Sequence, residues 1–113
     1  MSSFRELQKQ MHNLSRSKGW YDNLDLGDVN VIGTKLALIH SEVSEALEDV
    51  REGKMACVIN ENGKPEGYPT ELADIVIRVM DLAEATGVDL QKEIERKYRY
   101  NATREYKHGN KKC

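Results

Sequence analysis

Two segments of the chain carry apolar residues every three or four positions, a period that fits an α-helix and not a β-strand. The longer segment covers residues 29–52 and the other covers residues 70–86. Segments 2–17 and 89–103 repeat the period over fewer turns. The repeated positions in the two stronger segments are Leu36, Ile39, Val43, Leu47 and Val50, then Leu72, Ile75, Val76, Val79, Leu82 and Ala83. The pattern predicts an all-α fold, a four-helix bundle forming one domain over residues 1–113.

Capping and turn residues set the predicted boundaries of these helices. A serine or threonine hydroxyl, or an aspartate carboxylate, satisfies a free N–H at a helix start, and the candidates are Ser2 or Ser3, Thr70 and Asp89. Residues 53–69, "GKMACVINENGKPEGYP", are rich in Gly, Pro and Asn and predict a long loop, although "MACVI" also fits a short strand or a helical extension. After residue 103 the helical period stops, which predicts an extended C-terminal tail.

The charge is unevenly distributed along the chain. The net charge is -2, but residues 91–113 contain eight Lys or Arg and three Glu and so carry +5. The small net charge argues against duplex nucleic acid as a partner, whereas the basic tail supplies the complement that a polyphosphate would require. No signal peptide and no long apolar run is recognised, so we expect a protein without a membrane partner.

Small size and few aromatic residues predict self-association. The 113 residues include one Phe and one Trp, so a single chain builds only a modest core from two strongly apolar segments. We expect a homo-oligomer, either dimer or tetramer. Cys57 and Cys113 are far apart and form no CxxC pair, which indicates neither a zinc cluster nor a disulfide framework and favours a reducing, cytoplasmic location.

Two acidic pairs lie beside the apolar stripes. Glu42 and Glu45 are three residues apart in the second predicted helix, and Glu71 and Asp74 have the same spacing in the third, so each pair shares a helix face. Like charges at this spacing disfavour a helix unless a cation lies between them. Hard ions such as Mg²⁺, or Mn²⁺, prefer such oxygen ligands. A solvated face is the competing interpretation of either pair alone. Glu48 and Asp49, one turn further on, either support the metal ligands from outside or form a solvated face, and we favour the solvated face.

These motifs resemble one family. "LALIHSEVSEALEDVREGK", "KPEGYPTELADIVIRVMDLAEATGVDL" and "KYRYNATREYKHGNKK" together resemble the short single-domain bacterial and phage members of the MazG-like, all-α nucleoside triphosphate pyrophosphohydrolases. The family motif is EExxE, a spacer and ExxD, matched here by "SEVSE" and "ELAD". Ser41 stands where the first Glu of that motif would be, and this departure concerns the number of metal ions bound.

The resemblance implies roles for particular residues. Glu42, Glu45, Glu71 and Asp74 would be the catalytic Mg²⁺ ligands. Lys97, Asn101 and Arg104 match a family pattern that contacts phosphates, and Tyr106, His108 and Lys111 follow in the same basic tail. The implied reaction is hydrolysis of an NTP or dNTP between the α and β phosphates to a monophosphate and pyrophosphate, in control or cleansing of the nucleotide pool.

Other interpretations remain beside this one. Trp20 either stacks on the nucleotide base or packs the corner after the first helix, and His12 is predicted to be a surface histidine. A ferritin-like di-iron bundle needs two ExxH motifs, whereas the sequence offers one, in "EYKH" of the tail. The non-enzymatic alternative is a helical dimerisation or adaptor module with an acidic, metal-binding face.

Overall fold

The computed structural model describes residues 3–104, and this part of the chain forms four α-helices and one short β-hairpin. The helices are α1 (Phe4–Ser17), α2 (Val29–Arg51), α3 (Tyr68–Ala85) and α4 (Leu90–Ala102), and the strands are β1 (Val58–Ile59) and β2 (Pro65–Glu66). The all-α fold class predicted from the apolar periods is confirmed. The tail predicted beyond Arg104 lies outside the described residues.

Two of the three predicted N-caps are confirmed. The Ser3 hydroxyl accepts a hydrogen bond from the Glu6 amide at 3.1 Å, and the Asp89 carboxylate accepts one from the Lys92 amide at 3.1 Å. The prediction for Thr70 is wrong, because α3 already begins at Tyr68. Pro69 suits a first helical turn, where its missing N–H costs no hydrogen bond, so the helix starts before the threonine.

The predicted loop of residues 53–69 is wrong at six residues, since Tyr68 and Pro69 belong to α3 and four others pair as an antiparallel hairpin. Val58 lies opposite Glu66 and Ile59 lies opposite Pro65. The turn is closed by the Asn60 side chain, whose oxygen accepts hydrogen bonds from the amides of Asn62 and Lys64 at 2.8 and 3.0 Å. A side chain bonding to the backbone two residues ahead is typical of Asn in turns, and here it lets two-residue strands pair.

Gly67 connects the hairpin to α3. Its φ is +111°, and a Cβ at this position would collide with the carbonyl oxygen of Ala56. The next residue, Tyr68, donates its amide to the Lys54 carbonyl at 2.9 Å. Only glycine permits this close approach of backbone to backbone, which fixes where α3 starts and therefore where Glu71 stands.

Helix α3 is the centre of the fold and packs against both α1 and α2. Within residues 3–104 the buried apolar side chains are Ala46, Met80 and Ala83, and the buried polar ones are Gln8, Ser15 and Glu42. Many side chains of the predicted stripes are instead substantially exposed, namely Leu36, Val43, Leu47, Val50, Leu72 and Val76. A single chain therefore leaves much of its apolar surface in contact with water.

Helix α4 makes fewer contacts, with α1 and α3, and has no buried residue. Across residues 3–104, we find no helix with both the length and the apolar character that crossing a bilayer requires.

Candidate metal centre

The structure brings three of the four predicted ligands into one cluster. Glu42 and Glu45 extend from α2 and Glu71 extends from the first turn of α3, and one carboxylate oxygen of each lies within 4.8 Å of the others. Glu42 is buried, Glu71 is half-buried and Glu45 is exposed, so the cluster reaches from the interior to the surface. The packing of α2 against α3 joins the two acidic pairs that are separate in the sequence.

Asp74 is close enough to take part in the electrostatics of this cluster. Burial, followed by the charge of Glu42, raises the pKa of Asp74, and Arg78 opposes this rise. The effect on Glu71 is larger: burial and then the charges of Glu45, Asp74, Glu42 and Asp49 raise its pKa from 4.5 to about 7. Removing one carboxylate from water among several others disfavours its ionised form. The helices therefore hold together groups that repel one another.

Two oxygens of this region are buried without a hydrogen-bond partner in residues 3–104, Glu71 Oε2 and Asp49 Oδ2. The predicted solvated face is thus wrong for Asp49, which is half-buried one turn after Glu45. It holds for Glu48, which is exposed and lies 3.8 Å from the Arg51 guanidinium. Unsatisfied buried acceptors are costly and indicate that a positively charged or donating group belongs beside them.

Arg78 is a member of the site that the sequence reading missed. Its Nε donates a hydrogen bond to Glu42 Oε1 at 2.8 Å, so one oxygen of that carboxylate already has a cationic partner. Arg78 follows Asp74 by four residues on α3 and therefore shares its helix face. That spacing was the signal available in the sequence.

A cavity of about 480 Å³ opens beside the carboxylates. Glu42, Asp74 and Arg78 line one part of it, and Trp20 and Tyr21 from the α1–α2 connection line another. The remaining lining residues are Ser15, Lys35, Leu38, Ile77, Asp81 and Leu82. Its volume is within the range of roughly 300 to 1,000 Å³ that is usual for small-molecule sites, and it joins aromatic, apolar and charged surfaces.

Trp20 remains 60% exposed, so packing of a helix corner accounts for only part of its surface. Its neighbour Tyr21 is held differently: the Lys35 ammonium lies 4.3 Å from the centre of its ring. Lys35 is the second cationic side chain, with Arg78, in the described lining of the cavity.

The prediction that His12 is a surface histidine is wrong. Its Nδ1 lies 2.8 Å from Asp81 Oδ1, and both side chains are largely covered. The other oxygen of Asp81 accepts a hydrogen bond from the Ser15 hydroxyl at 2.6 Å. The sequence of α1 alone could not show that an aspartate of α3 faces His12.

The predicted phosphate-binding residues do not join the cavity in this chain. Lys97 and Asn101 lie on exposed α4 and Arg104 follows it, and the described lining contains none of them. Lys97 Nζ and the Arg104 guanidinium lie 4.8 and 5.9 Å from the centre of the Tyr100 ring. Tyr106, His108 and Lys111 lie outside the described residues.

The donor set fits a hard divalent cation. All the candidate ligand atoms are carboxylate oxygens, which Mg²⁺ and Mn²⁺ prefer, and Mg²⁺ commonly keeps several waters while using a few carboxylates. A dication beside Glu42, Glu45 and Glu71 would also remove the repulsion that raises the pKa of Glu71.

Comparison with protein-family models, with curated proteins and with solved structures gives no match for this chain. The functional assignment therefore depends on the motifs and the geometry of the site.

Proposed function

We propose that this chain is a metal-dependent nucleoside triphosphate pyrophosphohydrolase of the MazG-like type, which releases pyrophosphate and leaves a nucleoside monophosphate. The observation that supports it most strongly is the meeting of Glu42, Glu45 and Glu71 across two helices, at the edge of a cavity with an exposed tryptophan. Paired helix carboxylates for a cation, next to a surface for a base, are what a nucleotide with a polyphosphate chain requires.

The carboxylates would have two roles, metal binding and activation of the attacking water. Buried Glu42, half-buried Glu71 and Asp74 would hold Mg²⁺ with Glu45, and bound Mg²⁺ would supply Lewis acidity toward the phosphoryl oxygens and the attacking water. Glu45 is the exposed member of the cluster and would orient that water and accept its proton. Arg78 and Lys35 add positive charge along the cavity for the anionic substrate.

The nucleoside would occupy the part of the cavity next to Trp20, whose ring offers a stacking face for a base. Stacking alone is tolerant of base identity, since every base has an aromatic face. Discrimination between bases would therefore come from polar groups that line the same part of the cavity.

Self-association belongs to this proposal. The exposed side chains Leu36, Val43, Leu47 and Val50 follow one another along one stripe of α2, and Leu72 and Val76 lie on α3. Covering such stripes with a second copy removes apolar surface from water at about 25 cal/mol per Å². Lys97, Asn101 and Arg104 would then contact phosphates in the site of a neighbouring subunit, since they do not line the cavity of their own chain.

The proposal is tested by turnover with point variants. We expect the protein to release pyrophosphate from at least one NTP or dNTP only when Mg²⁺ or Mn²⁺ is present. Glu45→Gln and Asp74→Asn should each reduce kcat at least about a hundredfold, as loss of a general base or a metal ligand does. The matched control is Glu48→Gln, an exposed carboxylate of the same helix that pairs with Arg51. Full activity in both site variants, or equal loss in the control, would contradict the assignment.

A further inference from the structure

Within residues 3–104, one cationic side chain forms an ion pair with the carboxylates Glu42, Glu45, Glu71 and Asp74, and it is that of Arg78. Its Nε donates a hydrogen bond to Glu42 Oε1 at 2.8 Å. The Glu42 side chain is only 11% exposed, whereas the Arg78 side chain is 42% exposed and lines the cavity. The candidate metal centre therefore already contains one positive charge that belongs to the chain.

The bond from Arg78 leaves Glu42 free to bind a metal ion as well. A carboxylate has about four lone-pair sites on its two oxygens, so one hydrogen bond to Oε1 leaves the other oxygen available as a ligand. One oxygen each of Glu45 and Glu71 lies within 4.8 Å of an oxygen of Glu42. Glu42 can therefore bridge a dication in this cluster and the guanidinium of Arg78.

Arg78 lies where a second metal ion would share Glu42 with the first. In two-metal sites the ions lie roughly 3.5 to 4 Å apart, a separation that one carboxylate can bridge through its two oxygens. Arg78 also acts on Asp74, which precedes it by one turn of α3: burial and the charge of Glu42 raise the pKa of Asp74, and the charge of Arg78 lowers it. The guanidinium thus partly neutralises two carboxylates, as a second ion would.

We propose, on the basis of the function proposed above, that each chain holds one divalent ion and that Arg78 takes the place of a second. A guanidinium is always charged, and unlike a metal ion it cannot dissociate from the site. A second dication at Glu42 would lie within a few ångströms of this fixed charge, and the repulsion should weaken its binding at least about a hundredfold. The guanidinium has further N–H groups besides the one bonded to Glu42, and these can donate to phosphate oxygens in the cavity.

Binding of Mn²⁺ tests this inference in the absence of any nucleotide. Free Mn²⁺ gives a sharp electron paramagnetic resonance signal that is lost on binding, so a titration of the protein counts the ions bound per chain. The titration is made at about pH 8, above the pKa of about 7 that burial and neighbouring carboxylates give Glu71, so that the cluster is ionised. We expect the wild type to bind one ion per chain, with a second ion at least about a hundredfold weaker.

The variant Arg78→Gln removes the charge and keeps a hydrogen-bond donor for Glu42. We expect it to bind two ions per chain with dissociation constants within about tenfold of each other, and with the magnetic coupling of ions about 4 Å apart. Arg78→Lys keeps the charge and should bind one ion, as the wild type does. The matched control is Arg51→Gln, the same substitution at an exposed ion pair with Glu48 on α2, and it should also bind one ion.

The outcomes separate this inference from the proposed function. Two ions of similar affinity in the wild type, one ion in Arg78→Gln, two ions in Arg78→Lys or Arg51→Gln, or no bound Mn²⁺ at all overturns the inference. Pyrophosphate release by a wild type that binds two ions would retain the enzyme and remove this role of Arg78. One ion in the wild type and two in Arg78→Gln, without pyrophosphate release from any nucleotide, would retain the role of Arg78 and remove the enzyme.

Discussion

Replacing Glu71 by glutamine should stabilise the metal-free protein at alkaline pH. The folded chain holds the pKa of Glu71 at about 7, against 4.5 for an ordinary glutamate. Because the folded state binds this proton more tightly than the unfolded state, the stability of the metal-free protein is greatest at the acidic end of this interval. It is lost as the pH rises through about 7, where the folded carboxylate ionises among its neighbours. Glutamine has no charge and avoids that loss.

The expected gain in the free energy of unfolding follows from the pKa interval, the solvent screening and the helix dipole. The interval between the two pKa values corresponds to roughly 3 kcal/mol at about 1.36 kcal/mol per unit. Solvent screens a half-buried side chain, which reduces the repulsion to about 1 to 2 kcal/mol. Glu71 also lies in the first turn of α3, where the helix dipole favours an anion by about 0.3 to 1 kcal/mol. Repulsion and burial outweigh the dipole, leaving about 1 kcal/mol, or about 4 to 8 °C in Tm.

Thermal unfolding followed by circular dichroism measures this effect at about pH 8 and about pH 5, with chelator and then with Mg²⁺, at one protein concentration. With chelator, Glu71→Gln should raise Tm at the higher pH only. With Mg²⁺ at a hundred times its Kd, the wild type should gain about 2.7 kcal/mol and the variant much less, so their order reverses. The Glu48→Gln control should follow the wild type. A lower Tm for Glu71→Gln in chelator at about pH 8, or an equal gain from Mg²⁺, would refute the reasoning.

The remaining predictions concern the fold and its assembly. Gln8 is fully buried, and its Nε2 donates hydrogen bonds to Glu84 Oε1 and the Val88 carbonyl at 3.0 and 2.8 Å. Gln8→Ala should therefore lower the free energy of unfolding, measured in urea, by about 2 to 4 kcal/mol. The exposed control Lys9→Ala should lower it by less than about 0.5 kcal/mol. Gly67→Ala should lower the free energy of unfolding by about 3 kcal/mol, and Gly53→Ala, where a Cβ would meet open space, by about 1 kcal/mol. Equal losses for the two variants would contradict the close approach of Gly67 to the Ala56 carbonyl. Leu47 and Leu14 are both exposed, but only Leu47 lies on the α2 stripe that is proposed to self-associate. Leu47→Asp should therefore shift the sedimentation coefficient to that of a monomer, whereas Leu14→Asp should leave it unchanged. A wild-type protein that is already monomeric would contradict self-association through α2.

The helices were predictable because their signals are local. The apolar period of Leu36 to Val50 and the caps at Ser3 and Asp89 depend on residues within one or two turns, and the structure confirms the helix and both caps. The start of α3 was misplaced at Thr70 because the position of Gly67 is decided by its contact with Ala56. A contact between distant parts of the backbone leaves no repeating pattern in the sequence that could predict it.

The site was only partly predictable, because contacts between different helices give no local signal in the sequence. The spacing within each acidic pair is a helical property, so Glu42, Glu45 and Glu71 could be nominated before their meeting was seen. The partners of His12 and the burial of Asp49 depend on how α1 and α2 lie against α3, which no single helix determines. Lys97, Asn101 and Arg104 do not line the described cavity, and their contact with phosphate stays a prediction.

The proposed attack on the α phosphorus is tested most directly by hydrolysis in water enriched in a heavy oxygen isotope, followed by mass spectrometry of both products. We predict that an NTP or dNTP with Mg²⁺ yields monophosphate and pyrophosphate, with the heavy oxygen in the monophosphate. Label in the pyrophosphate would place the attack on the β phosphorus. Formation of a nucleoside diphosphate and inorganic phosphate, or no hydrolysis of any canonical nucleotide, would contradict the account.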